Sequence, residues 1–408
     1  MGASDPAGDR RSGASLALGL VLAAGLVNYV DRVTLSVAGP VIAGELRLRP
    51  SQMGLLYSAF LWTYGLAQAP VGAIIDRVGP RRLLGAALTL WSAAQGATGL
   101  AVGLPQLFAA RLLLGLGEAP QWPTGAKVVR TWFAPQVRGL ATGVFNSAST
   151  LGPAIAPPLV TGLMLAFGWR GAFFATALAG LAVALLWIGL YRDAPPGPGG
   201  EVIPPRTRWR VLFAAPALWA MALGNVGSGY MNWFYAAWLP GYLESARHLT
   251  VPQTGWAASI PYLFGVLGSL VGGFACDRLA AAGLSPIASR KLPIVAGLAV
   301  GAAFTGLTIL APTSVSAIAA IAAALFCSNL AGAAIWAMAI TAAPPGGVAS
   351  VGAAQNFGGF LGGALAPIVT GFSVEATHSF AAALATTAVA ALGGAVVYLV
   401  GVRKPIAA

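Results

Sequence analysis

The sequence predicts an all-α membrane protein of twelve transmembrane helices in two six-helix halves, and three observations carry that reading. Of the 408 residues, 57% are hydrophobic and only 8% are charged, against roughly 25% charged in soluble domains. Apolar stretches close to the ~20 residues needed to cross about 30 Å of hydrocarbon recur almost from end to end. A polar interruption rich in proline and arginine divides those stretches six and six.

Charges and Pro/Gly clusters set the span limits. A polar leader, residues 1–13 with Arg10 and Arg11, precedes span one at 15–41. The apolar stretch behind it is too long and too charged for a cleaved signal peptide, so the leader reads as a cytoplasmic tail. Glu45, Arg47 and Arg49 part span one from span two at 51–75, and Asp76, Arg77 and Arg81 part that from span three at 82–103. Span four, 105–127, begins at Pro105; span five, 137–166, follows Arg130 and Pro135 and ends before Gly168-Trp169-Arg170; span six covers 170–191. The interruption from Arg192 to Arg210 carries Pro195, Pro196, Pro198, Pro204 and Pro205, so 192–211 reads as a linker between an N-terminal half, 14–191, and a C-terminal half, 212–401. The second half holds spans at 212–243, 253–276, 291–311, 315–341, 348–373 and 379–401, before a tail at 402–408.

Lys and Arg positions set the orientation, because positive loops stay in the cytoplasm. With the N-terminus inside, only Arg47, Arg49, Arg170 and Arg247 fall outside, and Arg32 and Arg111 lie within spans. Both termini are then cytoplasmic, and the net charge of +12 reflects topology and an anionic inner leaflet; nothing points to nucleic acid. Cys276 and Cys327 imply no disulfide framework and no metal site. Walker, HExxH and nucleophile-elbow signatures are missing, and the two histidines, His248 and His378, fall in outer loops, so the chain does not read as an enzyme.

The halves echo each other, as internal repeats in membrane folds do. Asn146, Leu151, Gly152, Ala156 and Pro157 of span five recur at one constant interval as Asn356, Leu361, Gly362, Ala366 and Pro367 of span eleven. After span two comes Gly72-x-x-x-Asp76-Arg77, and after span eight Gly273-x-x-x-Asp277-Arg278. Duplication of a six-helix unit is the economical account.

Four charges stand inside the first-half spans. Asp31 and Arg32 sit side by side in span one, and Arg111 and Glu118 in span four. A charged side chain at the bilayer centre costs about 3 kcal/mol or more, so such residues usually face one another or an ion or substrate path. Arg111 and Glu118 are seven apart, on one helix face about 10.5 Å apart along the axis. At 1.5 Å per residue Asp31, Arg32 and Arg111 fall in the middle-to-outer part of the bilayer, with Glu118 nearer the cytoplasm. A guanidinium fork suits a carboxylate bidentately. Desolvation favours the protonated form of a carboxyl and a neighbouring guanidinium the ionised form, so arrival of an anion can change proton affinity. The rival reading makes Asp31 with Arg111, or Glu118 with a neighbouring arginine, permanent ion pairs that lock helices.

The segment Gly72-x-x-x-Asp76-Arg77-Val-Gly79-Pro-Arg81-Arg82 resembles the signature G-x-x-x-D-R-x-G-R-R of the major facilitator superfamily, with Pro80 inserted before the arginine pair. Asn28-Tyr29-Val30-Asp31-Arg32, Tyr64-x-x-x-Gln68-x-Pro70, Arg111-x-x-x-Gly115-x-x-Glu118-Ala119-Pro120-x-x-Pro123, Phe145-Asn146-Ser147, Gly168-Trp169-Arg170-x-Ala172-Phe173 and Tyr235-Ala-Ala-Trp238-Leu239-Pro240 narrow the resemblance to its anion:cation symporters. That group contains bacterial sugar-acid permeases and animal vesicular glutamate and sialic-acid carriers. The resemblance implies a monomeric secondary transporter of the bacterial inner membrane. It would import a small organic anion, a sugar acid or related carboxylate, with protons by alternating access, needing no cofactor beyond the coupling proton and no partner beyond the lipid bilayer. It also implies substrate binding by Arg32 and Arg111, with the choice between them open, and proton coupling by Asp31 and Glu118. Tyr29, Tyr64, Ser149 and Asn356 match substrate-contacting positions, and Gln355 lies at similar depth. Gly72, Asp76, Arg77, Arg81, Arg82, Asp277 and Arg278 fall in the gating loops. For the uncharged residues, which also include Asn225, Tyr230 and Asn232, ordinary interhelical hydrogen bonding is the rival reading. Tyr230, Trp233 and Phe234 share a face of span seven, which keeps an aromatic acid in view as the substrate. The residues also leave open a proton-driven exporter of amphipathic compounds and, outside transport, a membrane sensor with a transporter fold.

Overall fold

The computed structural model describes residues 6–134, 136–193, 209–344 and 346–406. Tail residues 1–5 and 407–408 and linker residues 194–208 lie outside the described residues. Every regular element among the described residues is an α-helix: α1 Pro6–Glu45, α2 Pro50–Val78, α3 Pro80–Gly99, α4 Leu104–Glu118, α5 Gln121–Trp132, α6 Arg138–Asn146, α7 Ala148–Leu190, α8 Trp209–Ala214, α9 Pro216–Ser245, α10 Val251–Ala281, α11 Pro286–Leu310, α12 Ser314–Ala342, α13 Val348–Thr377 and α14 Ala381–Gly401.

Helix ends and spans differ where proline and glycine act. The leader is already helical from Pro6, continuous with span one. Span four is built from α4 and α5, joined through Ala119 (φ −54°, ψ −36°) and Pro120 (φ −71°, ψ −16°), which keep helical angles while Pro120 lacks an N–H to donate. Span five is α6 continued through Ser147 (φ −58°, ψ −23°) into α7. The backbone leaves the helix inside α7 at Gly168 (φ 69°, ψ 173°), where spans five and six part. Counting these joined and divided helices as rods, and setting aside the short α8, gives twelve rods among the described residues, and seven helical stretches among them are long and apolar enough by composition to cross a membrane.

Two compact units form, Met1–Leu46 with Ala59–Glu201 and Arg47–Ser58 with Val202–Ala408. In the first, α1 and α3 pack on α7, with α4 and α5 beside them, over fully buried Trp91, Phe173 and Trp187. In the second, α9 packs on α13 and α14, and α12 on α10 and α11, around Leu218, Met221, Ile294, Leu298, Ile335, Met338 and Tyr398. Gly358 and Gly362 let α13 approach α9. A Cβ on either would lie 1.9 Å from the Ala222 carbonyl oxygen or 2.0 Å from that of Val226. Small residues of this kind permit close helix packing in lipid, where apolar contacts alone gain little over acyl chains.

The repeat read from the sequence has local structural counterparts. Arg47 (φ 53°) and His248 (φ 56°) both turn with positive φ, at the interval that separates Asp76 from Asp277. Two residues on, the Arg49 N–H donates to Gln52 Oε1 at 2.8 Å and the Thr250 N–H to Gln253 Oε1 at 3.0 Å. A cation also caps a helix C-terminus in each unit: Arg81 Nη2 donates to the Ile188 carbonyl at 2.7 Å, and Lys291 Nζ to those of Val402 and Leu399 at 3.2 and 3.3 Å. Positive charge there opposes the helix dipole and satisfies carbonyls left without partners.

A buried arginine in an aromatic cage

The four intramembrane charges meet inside the first unit. Arg32 Nε donates to Glu118 Oε2 at 2.6 Å, with the two side chains 8% and 0% exposed. This is a single contact rather than a fork, because Arg32 Nη2 and Glu118 Oε1 are buried without hydrogen-bond partners. The guanidinium carbon lies 5.0 Å from the Tyr29 ring centroid, 4.8 Å from Phe60 and 4.7 Å from Tyr64. Phe60 and Tyr64 stack at 5.3 Å with an interplanar angle of 22°.

Local structure explains the assembly. Tyr29 and Arg32 are three apart on α1, and Phe60 and Tyr64 four apart on α2, the spacings that share a helix face. Gly115 of α4 lets α2 come close: a Cβ there would lie 2.3 Å from both the Phe60 carbonyl oxygen and Thr63 Oγ1. One turn later in α4 comes Glu118.

Asp31 is fully buried, and neither carboxylate oxygen makes a hydrogen bond of good geometry. The charges of Glu118 and Arg111 act on it, and Thr176 is its hydrogen-bonding neighbour. Arg111 is 2% exposed, and its guanidinium carbon lies 5.9 Å from the Phe173 ring. Beside the pair, Asn28 is fully buried with neither amide atom hydrogen-bonded. Buried polar groups are nearly always satisfied in native proteins, and this concentration of atoms without a protein partner stands out in the unit.

The other candidate residues are distributed differently. Ser149 Oγ donates to the Asn146 carbonyl at 2.7 Å in the first unit. In the second, Gln355 is 1% exposed and fully occupied: its Nε2 donates to the Ile335 carbonyl at 3.0 Å, its Oε1 accepts from Tyr398 Oη at 3.4 Å, and its carbonyl accepts from Asn225 Nδ2 at 2.9 Å. Gln355 therefore ties α9, α12, α13 and α14 together. Asn232 likewise donates to Ser328 Oγ at 2.9 Å. Asn356 is half-buried, and the Tyr230 hydroxyl is buried without a partner.

The gating residues lie in helices rather than in the loops expected from the sequence: Gly72, Asp76 and Arg77 in the last turns of α2, Arg81 and Arg82 in the first turn of α3, and Asp277 and Arg278 in the last turns of α10, because α2 and α10 stay helical through these motifs. Asp76 pairs with Lys127 Nζ at 2.8 Å, and the Arg81 N–H donates to Asp193 Oδ1 at 3.2 Å. Gly72, Arg77, Arg82, Asp277 and Arg278 are exposed, and Arg278 lies 4.8 Å from the Phe274 ring. Sequence reasoning missed Phe60, Asn28 and Lys127 as participants. For Phe60 the available signal was its i,i+4 spacing to Tyr64, and for Lys127 its position as a lone lysine at the end of an apolar span.

The family description Major Facilitator Superfamily matches residues 21–367 and again 221–406. The chain belongs to the major facilitator superfamily. It is a multi-pass, all-α membrane transporter and not an enzyme. Among curated relatives, this major facilitator chain is 41% identical to the probable L-galactonate transporter of Escherichia coli K12, covering 95% of this chain and 89% of that one. It is 34% identical to the hexuronate transporter of Bacillus subtilis 168, covering 88% of each. It is 31% identical to a probable galactarate/D-glucarate transporter of Escherichia coli K12, covering 91% of each. Among solved structures it matches a bacterial homologue of the human lysosomal transporter Spinster, in an inward-facing and occupied conformation, with TM-score 0.84 at 18% identity over 98% of both chains; that likeness speaks for the fold alone.

Proposed function

We propose that this chain imports a sugar acid or a closely related small carboxylate together with protons by alternating access, as a monomer in a bacterial inner membrane with both termini cytoplasmic. The observation that carries the reading is the Arg32–Glu118 pair: buried, joined by one contact at 2.6 Å, with Arg32 Nη2 unpartnered. A substrate carboxylate can take the guanidinium edge that Glu118 half-uses, since Arg binds carboxylates in bidentate fashion. A proton on Glu118 removes the charge that competes for that edge. Anion arrival and protonation then favour each other, which is the thermodynamic content of symport.

In this reading Arg32 grips the carboxylate, Arg111 contributes positive charge, and Tyr29 and Tyr64 offer hydroxyls to the sugar. Asp31, under the influence of Arg111 and Glu118, is the second proton carrier. Ser149 is a further contact from the same unit, whereas Gln355 serves packing in the second. Asp76, Arg77, Arg81 and Arg82 with Gly72, and Asp277 with Arg278, work as gate elements. The names of the curated relatives support the choice of sugar acids among organic anions.

A thermal-shift panel of L-galactonate, D-glucuronate, D-glucarate, simple dicarboxylates and aromatic acids tests the substrate class, and external alkalinisation on addition of the best ligand to proteoliposomes tests coupling. Stabilisation by sugar acids with proton uptake is the expected result. Stabilisation by aromatic acids alone would reassign the substrate, and anion flux without proton movement would remove symport.

A further inference from the structure

We propose that Phe60 is a positioning residue for anion exchange: with Tyr29 and Tyr64 it forms an aromatic cage that holds the Arg32 guanidinium in place while its hydrogen-bond partner changes from Glu118 to the substrate carboxylate. The inference rests on the sugar-acid reading for its substrate and on geometry for the cage. All three ring centroids lie within 5.0 Å of the guanidinium carbon, inside the ~6 Å reach of cation–π attraction.

A buried guanidinium held by one carboxylate alone would be poorly suited to exchange, because leaving that partner would strand a desolvated charge. Ring faces attract a cation without a directional hydrogen bond, so they stabilise Arg32 whether Glu118 or an incoming anion holds its edge. The single-contact geometry fits such a handover: Nε is engaged, and Nη2 has no hydrogen-bond partner. The charged and titratable groups around Arg32 are Glu118 from α4 and Tyr29 and Tyr64 from α1 and α2, with Asp31 beside it in sequence and Arg111 acting on both carboxylates.

Phe60 is the discriminating member of the cage. Tyr29 and Tyr64 have hydroxyls that can bond a sugar acid, whereas Phe60 offers only its ring face. Its place is fixed by the close approach of α2 to α4 at Gly115 and by stacking on Tyr64.

The test replaces Phe60 with mono-, di- and trifluorophenylalanine, which drain the ring's negative face with little change of shape, alongside Phe60→Leu and Phe60→Tyr. Because the rings hold Arg32 with either partner, fluorination costs affinity only through lost pre-organisation: binding of L-galactonate and D-glucuronate by the full chain is expected to weaken stepwise, reaching about 2- to 10-fold when the guanidinium must be ordered on binding. Phe60→Leu should match the bottom of the series, and Phe60→Tyr should restore it. Without ligand, fluorination should lower the melting temperature in the Arg32 protein and not in Arg32→Gln. Unchanged affinity and Arg32-independent melting would overturn the proposal and leave Phe60 as filling. If the unsubstituted protein binds neither sugar acid, the substrate reading fails separately, and the melting comparison alone decides the cage.

Discussion

Glu118→Gln keeps the size of the side chain while removing the charge that holds Arg32. In the parent protein a charge-assisted hydrogen bond of 2.6 Å joins Arg32 Nε to Glu118 Oε2, with Glu118 fully buried. Hydrogen bonds to charged groups contribute about 1.5–3 kcal/mol and neutral ones about 1 kcal/mol. An incoming carboxylate therefore displaces an amide for about 0.5–2 kcal/mol less than it displaces the carboxylate. At about 1.4 kcal/mol per tenfold, anion affinity in Glu118→Gln should rise by about 2- to 30-fold. The same substitution removes a proton carrier, so accumulation driven by a pH gradient should disappear. Exchange of internal for external anion requires no net proton movement and should persist. Proteoliposomes loaded with unlabelled L-galactonate and assayed with labelled anion, with and without an imposed pH gradient, separate these outcomes. Full gradient-driven accumulation by Glu118→Gln would remove Glu118 from coupling. Affinity weakened rather than strengthened would show that Glu118 supports the anion site instead of competing for it.

Two further substitutions test the scaffold. Gly115→Ala places a Cβ 2.3 Å from the Phe60 carbonyl oxygen and Thr63 Oγ1; overpacking of this kind costs about 1–3 kcal/mol. Displacement of α2 should weaken sugar-acid binding along with thermal stability, whereas loss of stability with unaltered affinity would uncouple the helix crossing from the cage. Gln355→Leu abandons hydrogen bonds with the Ile335 carbonyl and Tyr398 Oη, each contributing about 0.5–1.5 kcal/mol, while Tyr398 Oη keeps its bond to the Met221 carbonyl at 3.2 Å. The expected result is a lowered melting temperature with unaltered substrate KM, and a raised KM at parental stability would return Gln355 to the substrate site.

Much of this protein is legible without coordinates because the bilayer imposes a simple length and polarity rule. Apolar runs, their charged ends and the arginine-rich break near the middle fix the spans, since backbone polar groups in lipid must be satisfied within a helix. Glycine and proline punctuate the rods where steric rules permit, as at Gly168 and Pro120. The same energetic rule makes Asp31, Arg32, Arg111 and Glu118 conspicuous, because charge inside an apolar span requires an explanation.

Pairing was not legible. Sequence depth alone set Asp31 and Arg32 near Arg111 and put Glu118 closer to the cytoplasm, which left the partner of Glu118 open among neighbouring arginines. The long, flexible side chain of Arg32 and the meeting of α1 with α4 decide for Arg32 Nε and Glu118 Oε2. Gln355 and Asn356 are adjacent in sequence, yet successive residues on a helix point in different directions. One is tied into its unit's core and the other is half-buried.

The sequence by itself determined the membrane class, the family resemblance and the identity of the costly charges, since each follows from composition, periodicity or local motif. Only the tertiary structure decided which carboxylate meets which arginine and that Phe60 joins Tyr29 and Tyr64 around it. Those contacts depend on how α4 crosses α1 and α2, and the approach of α2 to α4 turns on a missing side chain at Gly115, where no hydropathy signal marks the spot.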